Sequence, residues 1–354
     1  MPRLVLFVPA LLPHTIKLID SLRLYGYDVA VFLLHRKRAH YPWSKNSSAE
    51  GECVEGQKLS ALLKIARQAR EADLVIITGW HSWLQVAAAI WCFLSRRRFA
   101  YWLDVPEGTG PWHKKMVKKY LLWLSNACFI TSKSGFSFFT EEYGVNPAKC
   151  YRFPYLSAFD PYLDQEKCLA LEGEHHLSGQ LIKVLIANRF LPRKGYETVY
   201  RALEALPEDA SHRLEIKVLG HGYENSNAGK KISSLSMSNM LGWVEFDEYL
   251  RNLKACDVYL HASDHEPYGI PPMDAMALGK VVICSEGVYS SLDCINDNEN
   301  GFLFQPGNHE RLTAIFANLL ASPDALEDIG RRAKATEEIP SFKDNLAAIA
   351  AVIH

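Results

Sequence analysis

Residues 257–279, Asp-Val-Tyr-Leu-His-Ala-Ser-Asp-His-Glu-Pro-Tyr-Gly-Ile-Pro-Pro-Met-Asp-Ala-Met-Ala-Leu-Gly, limit the folds open to this chain more than any other stretch. Val258, Tyr259 and Leu260 form a short apolar run of the buried-strand type. A polar segment follows, with Glu266, a Pro267-Tyr268-Gly269 turn and the pair Pro271-Pro272. Proline suits a helix start, because its missing N–H would have no helical partner there. Met273 to Leu278 predict a helix, and Gly279 after it tolerates the left-handed C′ conformation. Lys280 to Cys284 is the next strand. Strand, loop, helix and strand in this order predict a parallel α/β sheet, whose ligands bind at the carboxyl ends of the strands. Two carboxylates flank the turn, Glu266 before it and Asp274 in the first helical turn. Gly269 lets backbone N–H groups approach a bound group, and a helix N-terminus favours an anion such as phosphate. On these features alone Asp274 reads equally well as a complement to the helix dipole, and Glu266 as a solvated loop residue.

A chain of 354 residues fits two domains better than one. The acidic stretch 156–180, containing Asp160-Pro161, reads as the link. The halves are then residues 1–160 and 181–337, followed by an amphipathic helix within 338–354. Leu4 to Leu12 is apolar, but only Arg3 precedes it and no small-residue cleavage site follows, so it reads as a buried strand and not a secretion signal. The longest apolar run, Trp83 to Leu94, is short of the ~20 residues a spanning helix needs. Eight cysteines without a Cys-x-x-Cys pair argue against a zinc site or a disulfide framework and for a reducing, cytoplasmic setting.

Net charge is −1, but unevenly spread. Residues 1–155 carry 21 Lys/Arg against 11 Asp/Glu, and the remainder 18 against 29. This split points to a first half that faces an anionic surface. Lys114, Lys115, Lys118 and Lys119 fall at helical spacing on one side of a segment whose other positions include Met116, Val117, Tyr120, Leu121, Trp123 and Leu124. A basic amphipathic helix bearing Trp is what peripheral attachment to an anionic membrane, on its inner face, requires. A plain surface helix with its apolar side in the core is the alternative. Nucleic acid is a poorer fit, since no recognised motif accompanies the charge.

The first half opens β-α-β, with strands at Arg3–Ala10 and Val29–Leu34, but lacks the Gly-x-Gly-x-x-Gly fingerprint, so NAD binding has no support. Residues 35–57 read as a loop. His81 follows the strand 73–78, and Asp104 ends the strand 99–103, both at ligand-facing positions. His81 can act as acid, base or hydrogen-bond donor, or simply cap the following helix, and Asp104 carries the same two readings. In the second half, Arg189 and Lys194 project from the loop after the strand 182–187, beside a helix N-terminus. A planar guanidinium and a point charge there make a phosphate-binding arrangement. Gly220-His-Gly222 follows the strand 215–219, and Met240 to Val244 predicts a further strand.

The segments Ala187-Asn-Arg-Phe-Leu-Pro-Arg-Lys-Gly, Leu219-Gly-His-Gly, Leu241-Gly-Trp-Val, Glu266-Pro-Tyr-Gly-Ile-Pro-Pro-Met-Asp and Asn300-Gly-Phe-Leu-Phe-Gln-Pro-Gly resemble, in register over about 150 residues, the donor domain of the retaining GT-B glycosyltransferases of family 4. The first half is similar more loosely, through Gly79-Trp-His81, Asp104 and Ile130-Thr-Ser-Lys. The resemblance implies two Rossmann-like domains facing across a cleft, with the last helix crossing back to the first domain. It implies transfer of a sugar from a nucleotide donor, with retention and without a metal or other cofactor. Arg189 and Lys194 would hold the diphosphate and stabilise the leaving group. Glu266 would sit by the donor sugar and Asp274 by the ribose. Gly220, Trp243, Val244, Tyr268, Gly269 and Ile270 would complete the donor pocket, and His81, His14 and Asp104 the sugar and acceptor side. Asp274 stands where the family has Glu. Val8-Pro-Ala-Leu-Leu-Pro-His14 replaces a glycine pair, and Phe153-Pro-Tyr155 a Pro-Asn-Gly. A UDP-sugar donor and a lipid-linked or cell-surface glycan acceptor are expected. GDP-mannose, an epimerase of related architecture and a catalytically silent nucleotide-binding subunit are the alternatives.

Overall fold

The computed structural model describes residues 1–34, 51–54, 59–80, 82–108, 110–164 and 181–354. They form two compact units, Met1–Ala158 with Pro340–His354, and Phe159–Ile339. Each is built on a parallel sheet wound outward from its middle.

The first sheet contains β1 (Arg3–Val8), β2 (Asp28–Leu33), β3 (Glu52–Cys53), β4 (Leu74–Thr78), β5 (Phe99–Leu103), β6 (Ala127–Ile130) and β7 (Cys150–Arg152). Their order is β3-β2-β1-β4-β5-β6-β7. The second sheet contains β8 (Ile182–Ala187), β9 (Leu214–Leu219), β10 (Ser238–Gly242), β11 (Val258–His261), β12 (Val281–Ser285) and β13 (Phe302–Phe304), in the order β10-β9-β8-β11-β12-β13. Every pairing is parallel. Central parallel strands are covered on both faces, which is why β5 and β12 are buried throughout. The chain leaves the first strand of each sheet in one direction and later returns to its other side. That reversal, between β1 and β4 and again between β8 and β11, opens a crevice at the carboxyl ends of those strands.

The helix Phe342–Ile353 belongs to the first unit. Phe342 and Ile349 are buried, Asn345 Nδ2 donates to the Pro154 carbonyl at 3.1 Å, and Arg98 donates to the carbonyl of Ile353. A capping box between Ser341 and Asp344 starts it.

Several local expectations shift. The stretch read as a loop contains β3, a two-residue strand too short to show a period; residues 35–50 and 55–58 lie outside the described residues. The strand expected at Met240–Val244 is Ser238–Gly242, because Gly242 takes φ +67° and ends it. The helix expected from Met273 begins at Ile270, with both prolines in its first turn, where no N–H is required. Asp274 therefore falls beyond the first turn, which holds no acid.

Candidate functional site

In the second unit the two loops at the sheet's reversal meet. β8 ends at Ala187, and the chain passes Asn188 and Arg189, runs through a 3₁₀ turn at Pro192–Lys194, and enters the helix Tyr196–Glu204 at Gly195. β11 ends at His261, and its loop enters the helix Ile270–Ala277 at Gly269. Both glycines have positive φ, +68° and +93°. They are also places where chain approaches chain: a Cβ on Gly195 would lie 1.8 Å from the Ala262 carbonyl oxygen, and one on Gly269 2.5 Å from Val288 Cγ1. Gly220 obeys the same constraint, against the Asn188 carbonyl at 1.8 Å. The close approach read from these glycines is thus first of all an approach of the protein to itself.

Lys194 is buried, and its Nζ is ion-paired with Glu266. His261 Nε2 lies 3.8 Å from the same carboxylate, and the Asn188 side-chain amide lies 3.2 Å from that ring nitrogen. Tyr259 OH is 3.2 Å from His261 Nδ1. Glu266 itself is pinned by its backbone, which donates to the Gly287 carbonyl at 2.8 Å. Burial raises the Glu266 pKa, but the bond from His261 and the charge of Lys194 outweigh it and hold the group down at about 2. Burial also pulls the His261 ring below its ordinary value, which makes Lys194 the cation that keeps Glu266 ionised at neutral pH. Lys194 is lowered as well: burial is the main cause, and Arg193 and Arg189 press on it against the pull of Glu266. A buried ammonium crowded by two guanidinium groups is a place where an added anion is stabilised.

The structure thus brings together Arg189, Lys194, Glu266 and Gly269 and adds residues the sequence did not single out. Arg193 donates to the His265 carbonyl at 3.2 Å, and Asn188 holds the His261 ring that lies against Glu266. The signal for Arg193 was its place in the same loop as Arg189. For His261 no signal existed, since a histidine at a strand end is ordinary until its neighbours are known. Gly220 adjoins the loop at the end of β9, whereas Trp243 and Val244 follow the edge strand β10. Tyr268 is buried, and Ile270 is the first residue of its helix. Asp274 is buried and accepts a hydrogen bond from Tyr249 OH at 3.0 Å. His81 lies outside the described residues.

The first unit holds a separate cluster. Tyr155 OH donates to Asp104 Oδ2 at 2.8 Å, and its ring meets that of His14 at 4.5 Å. Trp102, 5.0 Å from Tyr155, donates through Nε1 to the Phe153 carbonyl at 3.1 Å. Burial pushes the pKa of His14 down to about 4, so its ring is neutral at physiological pH. Tyr155, which the sequence showed only as a departure from a family pattern, joins the two expected residues.

Residues 171–336 match the family model described as Glycosyl transferases group 1. This second-unit segment is similar to that family over a little under half of the chain. An uncharacterized glycosyltransferase of Methanocaldococcus jannaschii is 27% identical over 159 residues, covering 43% of this chain and 40% of that protein. The lipopolysaccharide core biosynthesis glycosyltransferase LpsE of Rhizobium meliloti is 29% identical over 141 residues, covering 39% of each. The match therefore spans about two fifths of the length of these relatives. Among solved structures, Anabaena HepE in complex with UDP and glucose aligns over 98% of both chains with a TM-score of 0.74 at 18% identity. The fold is the GT-B arrangement of two Rossmann-like domains, with the final helix returned to the first.

Proposed function

We propose that this chain is a retaining glycosyltransferase of family 4 that moves a sugar from a UDP-sugar to a lipid-linked or cell-surface glycan, without a catalytic metal. The observation that carries the reading is the cluster of Arg189 and Arg193 beside Lys194, itself paired with Glu266, at the reversal point of the second sheet. A nucleoside diphosphate brings negative charge to this group of cations, of which Lys194 is buried and Arg189 and Arg193 are half-buried. The UDP and glucose bound to Anabaena HepE, and the lipopolysaccharide role of LpsE, support donor and acceptor class respectively.

In this reading the diphosphate takes up Lys194 and Arg189. As the bond from the anomeric carbon to the diphosphate oxygen breaks, these cations stabilise the charge that develops on the leaving UDP. The acceptor hydroxyl forms the new bond on the same face and passes its proton to the departing diphosphate oxygen. Glu266, released from Lys194 by the phosphate, faces the sugar, and Asp274 serves the ribose from its bond with Tyr249. His81, His14 and Asp104 serve the sugar and acceptor side. We place the enzyme in the cytoplasm, peripheral to an anionic membrane that the Lys114, Lys115, Lys118 and Lys119 helix faces.

Thermal-shift titration with UDP and GDP, followed by turnover of radiolabelled UDP-sugars with membrane extract, tests the reading. Stabilisation by UDP with transfer to extract is the expected result. The absence of both UDP binding and donor turnover would sink it. Binding without turnover would favour a silent subunit, and turnover to an epimer with no acceptor present an epimerase.

A further inference from the structure

The basic segment of the first unit forms the helix Trp112–Leu124, and its packing differs from what a helix with one core-facing apolar side would show. Only Leu121, Leu122 and Leu124 are buried. Trp112 is 78% exposed, Met116 56%, Tyr120 58% and Trp123 67%. These four fall at i, i+4, i+8 and i+11, one stripe along the helix, and the Tyr120 and Trp123 rings stack at 5.8 Å. The neighbouring helix, Trp83–Leu94, also exposes a stripe, with Trp83, Ile90 and Leu94 joined by Phe93. Exposed apolar surface of this extent marks an interaction site.

The lysines are arranged differently from the rings. Lys115 pairs with Glu142 at 2.7 Å, and Lys118 lies over the Trp80 ring at 5.2 Å. Both are half-buried, whereas Lys114, Lys119 and the following Arg96, Arg97 and Arg98 are exposed. Neither helix contains an acidic residue. Foremost on this surface are therefore apolar rings, with cations behind and beside them.

We propose that these two helices form a lipid-docking ridge, which sets Trp112, Tyr120 and Trp123 into the headgroup boundary of an anionic membrane while Lys114, Lys119 and Arg96–Arg98 meet its phosphates. The inference deepens the membrane part of the proposed function. It moves the anchoring from the lysines to the aromatic stripe, and it adds the second helix. Charge selects the occupant. A symmetric pairing of two copies places the same patch on itself and so sets cation against cation, whereas an anionic leaflet complements every exposed charge here. Trp and Tyr, apolar in body and polar at one edge, suit the headgroup level.

Sedimentation of the full chain with phosphatidylcholine vesicles, and with mixed phosphatidylcholine–phosphatidylglycerol vesicles, tests this, with tryptophan emission followed in parallel. The unaltered chain should pellet with the mixed vesicles and shift its emission to the blue. W112S/W123S should weaken that binding by about tenfold or more and lose most of the blue shift. K114Q/K119Q should lose mainly the preference for anionic over neutral vesicles and the sensitivity to salt. If W112S/W123S pellets like the unaltered chain, or vesicles leave the emission unmoved, the ridge is not a lipid anchor. A dimer in analytical ultracentrifugation that this variant dissolves, with no vesicle binding, would assign the ridge to a second copy and overturn the proposal. Both variants should keep the UDP thermal shift, which shows that they are folded. Vesicle binding without any UDP shift in the unaltered chain would defeat the donor reading and leave the ridge standing.

Discussion

Replacing Lys194 by Met tests the centre of the site, because it removes the charge and keeps much of the volume. Lys194 and Glu266 side chains are only 7% and 19% exposed, so solvent screens their contact little. Glu266 is held at about 2 against an ordinary value of 4.5. At about 1.4 kcal/mol for each tenfold change in proton affinity, its ionised form is favoured by about 3 kcal/mol. The His261 hydrogen bond and the Lys194 cation share that effect, and removing Lys194 leaves a buried carboxylate without its counter-cation. K194M should therefore destabilise the second unit by about 3 kcal/mol at pH 7, in line with the loss of one partner of a buried pair. For a unit of this size that lowers the melting temperature by roughly 6–12 °C.

The sign of the pH dependence is fixed by the direction of the Glu266 shift. A depressed carboxyl contributes stability above its ordinary value of 4.5, and that contribution is lost as pH falls through about 2. The gap between the unaltered chain and K194M should be constant near neutrality and close on acidification below about 4.5. Adding E266Q should recover much of the loss, because an absent pair is far less costly than a broken one. Urea unfolding at a series of pH values measures all three. A gap that persists undiminished at the acid end would refute the reasoning, and so would a double variant no more stable than K194M.

Three further outcomes follow from single contacts. Y249F removes the hydroxyl that donates to buried Asp274 and should cost about 1–3 kcal/mol in urea unfolding; if Asp274 serves the ribose, UDP affinity should fall while binding of inorganic pyrophosphate does not. G269A forces a Cβ into φ +93° and to 2.5 Å from Val288 Cγ1, and should cost about 1–3 kcal/mol with a weakened UDP thermal shift. His14, held at about 4, contributes stability above its ordinary 6.5 that is lost as pH falls through 4. H14N should flatten the first unit's stability over that window, as read by near-ultraviolet circular dichroism during acid titration.

The sequence alone predicted that both sheets are parallel and crossed over by helices. Short apolar runs followed by helical periods and glycine stops leave few arrangements besides a parallel sheet with crossovers, and both sheets have that form. Arg189, Lys194, Glu266 and Gly269 were legible for a related reason. Loops at strand ends carry function in this architecture, and unusual residues in them stand out against apolar neighbours. What the sequence could not give is which loops meet. The contact between Lys194 and Glu266 spans 72 positions and exists because β8 and β11 are neighbours in the sheet.

Only that neighbourhood made His261 and Asn188 part of the candidate site and joined Lys194 and Glu266, read separately in the sequence, into one ion pair. The same holds for Asp274, whose meaning changed when two prolines entered the helix and Tyr249 came to face it. It holds again for Trp112, Tyr120 and Trp123. A period of 3.6 residues says that they share a side, but only packing says that this side is turned to solvent while Leu121, Leu122 and Leu124 reach the core. Local pattern is set by steric and capping rules acting within a few residues. Electrostatics and burial depend on distance in space, which the fold supplies.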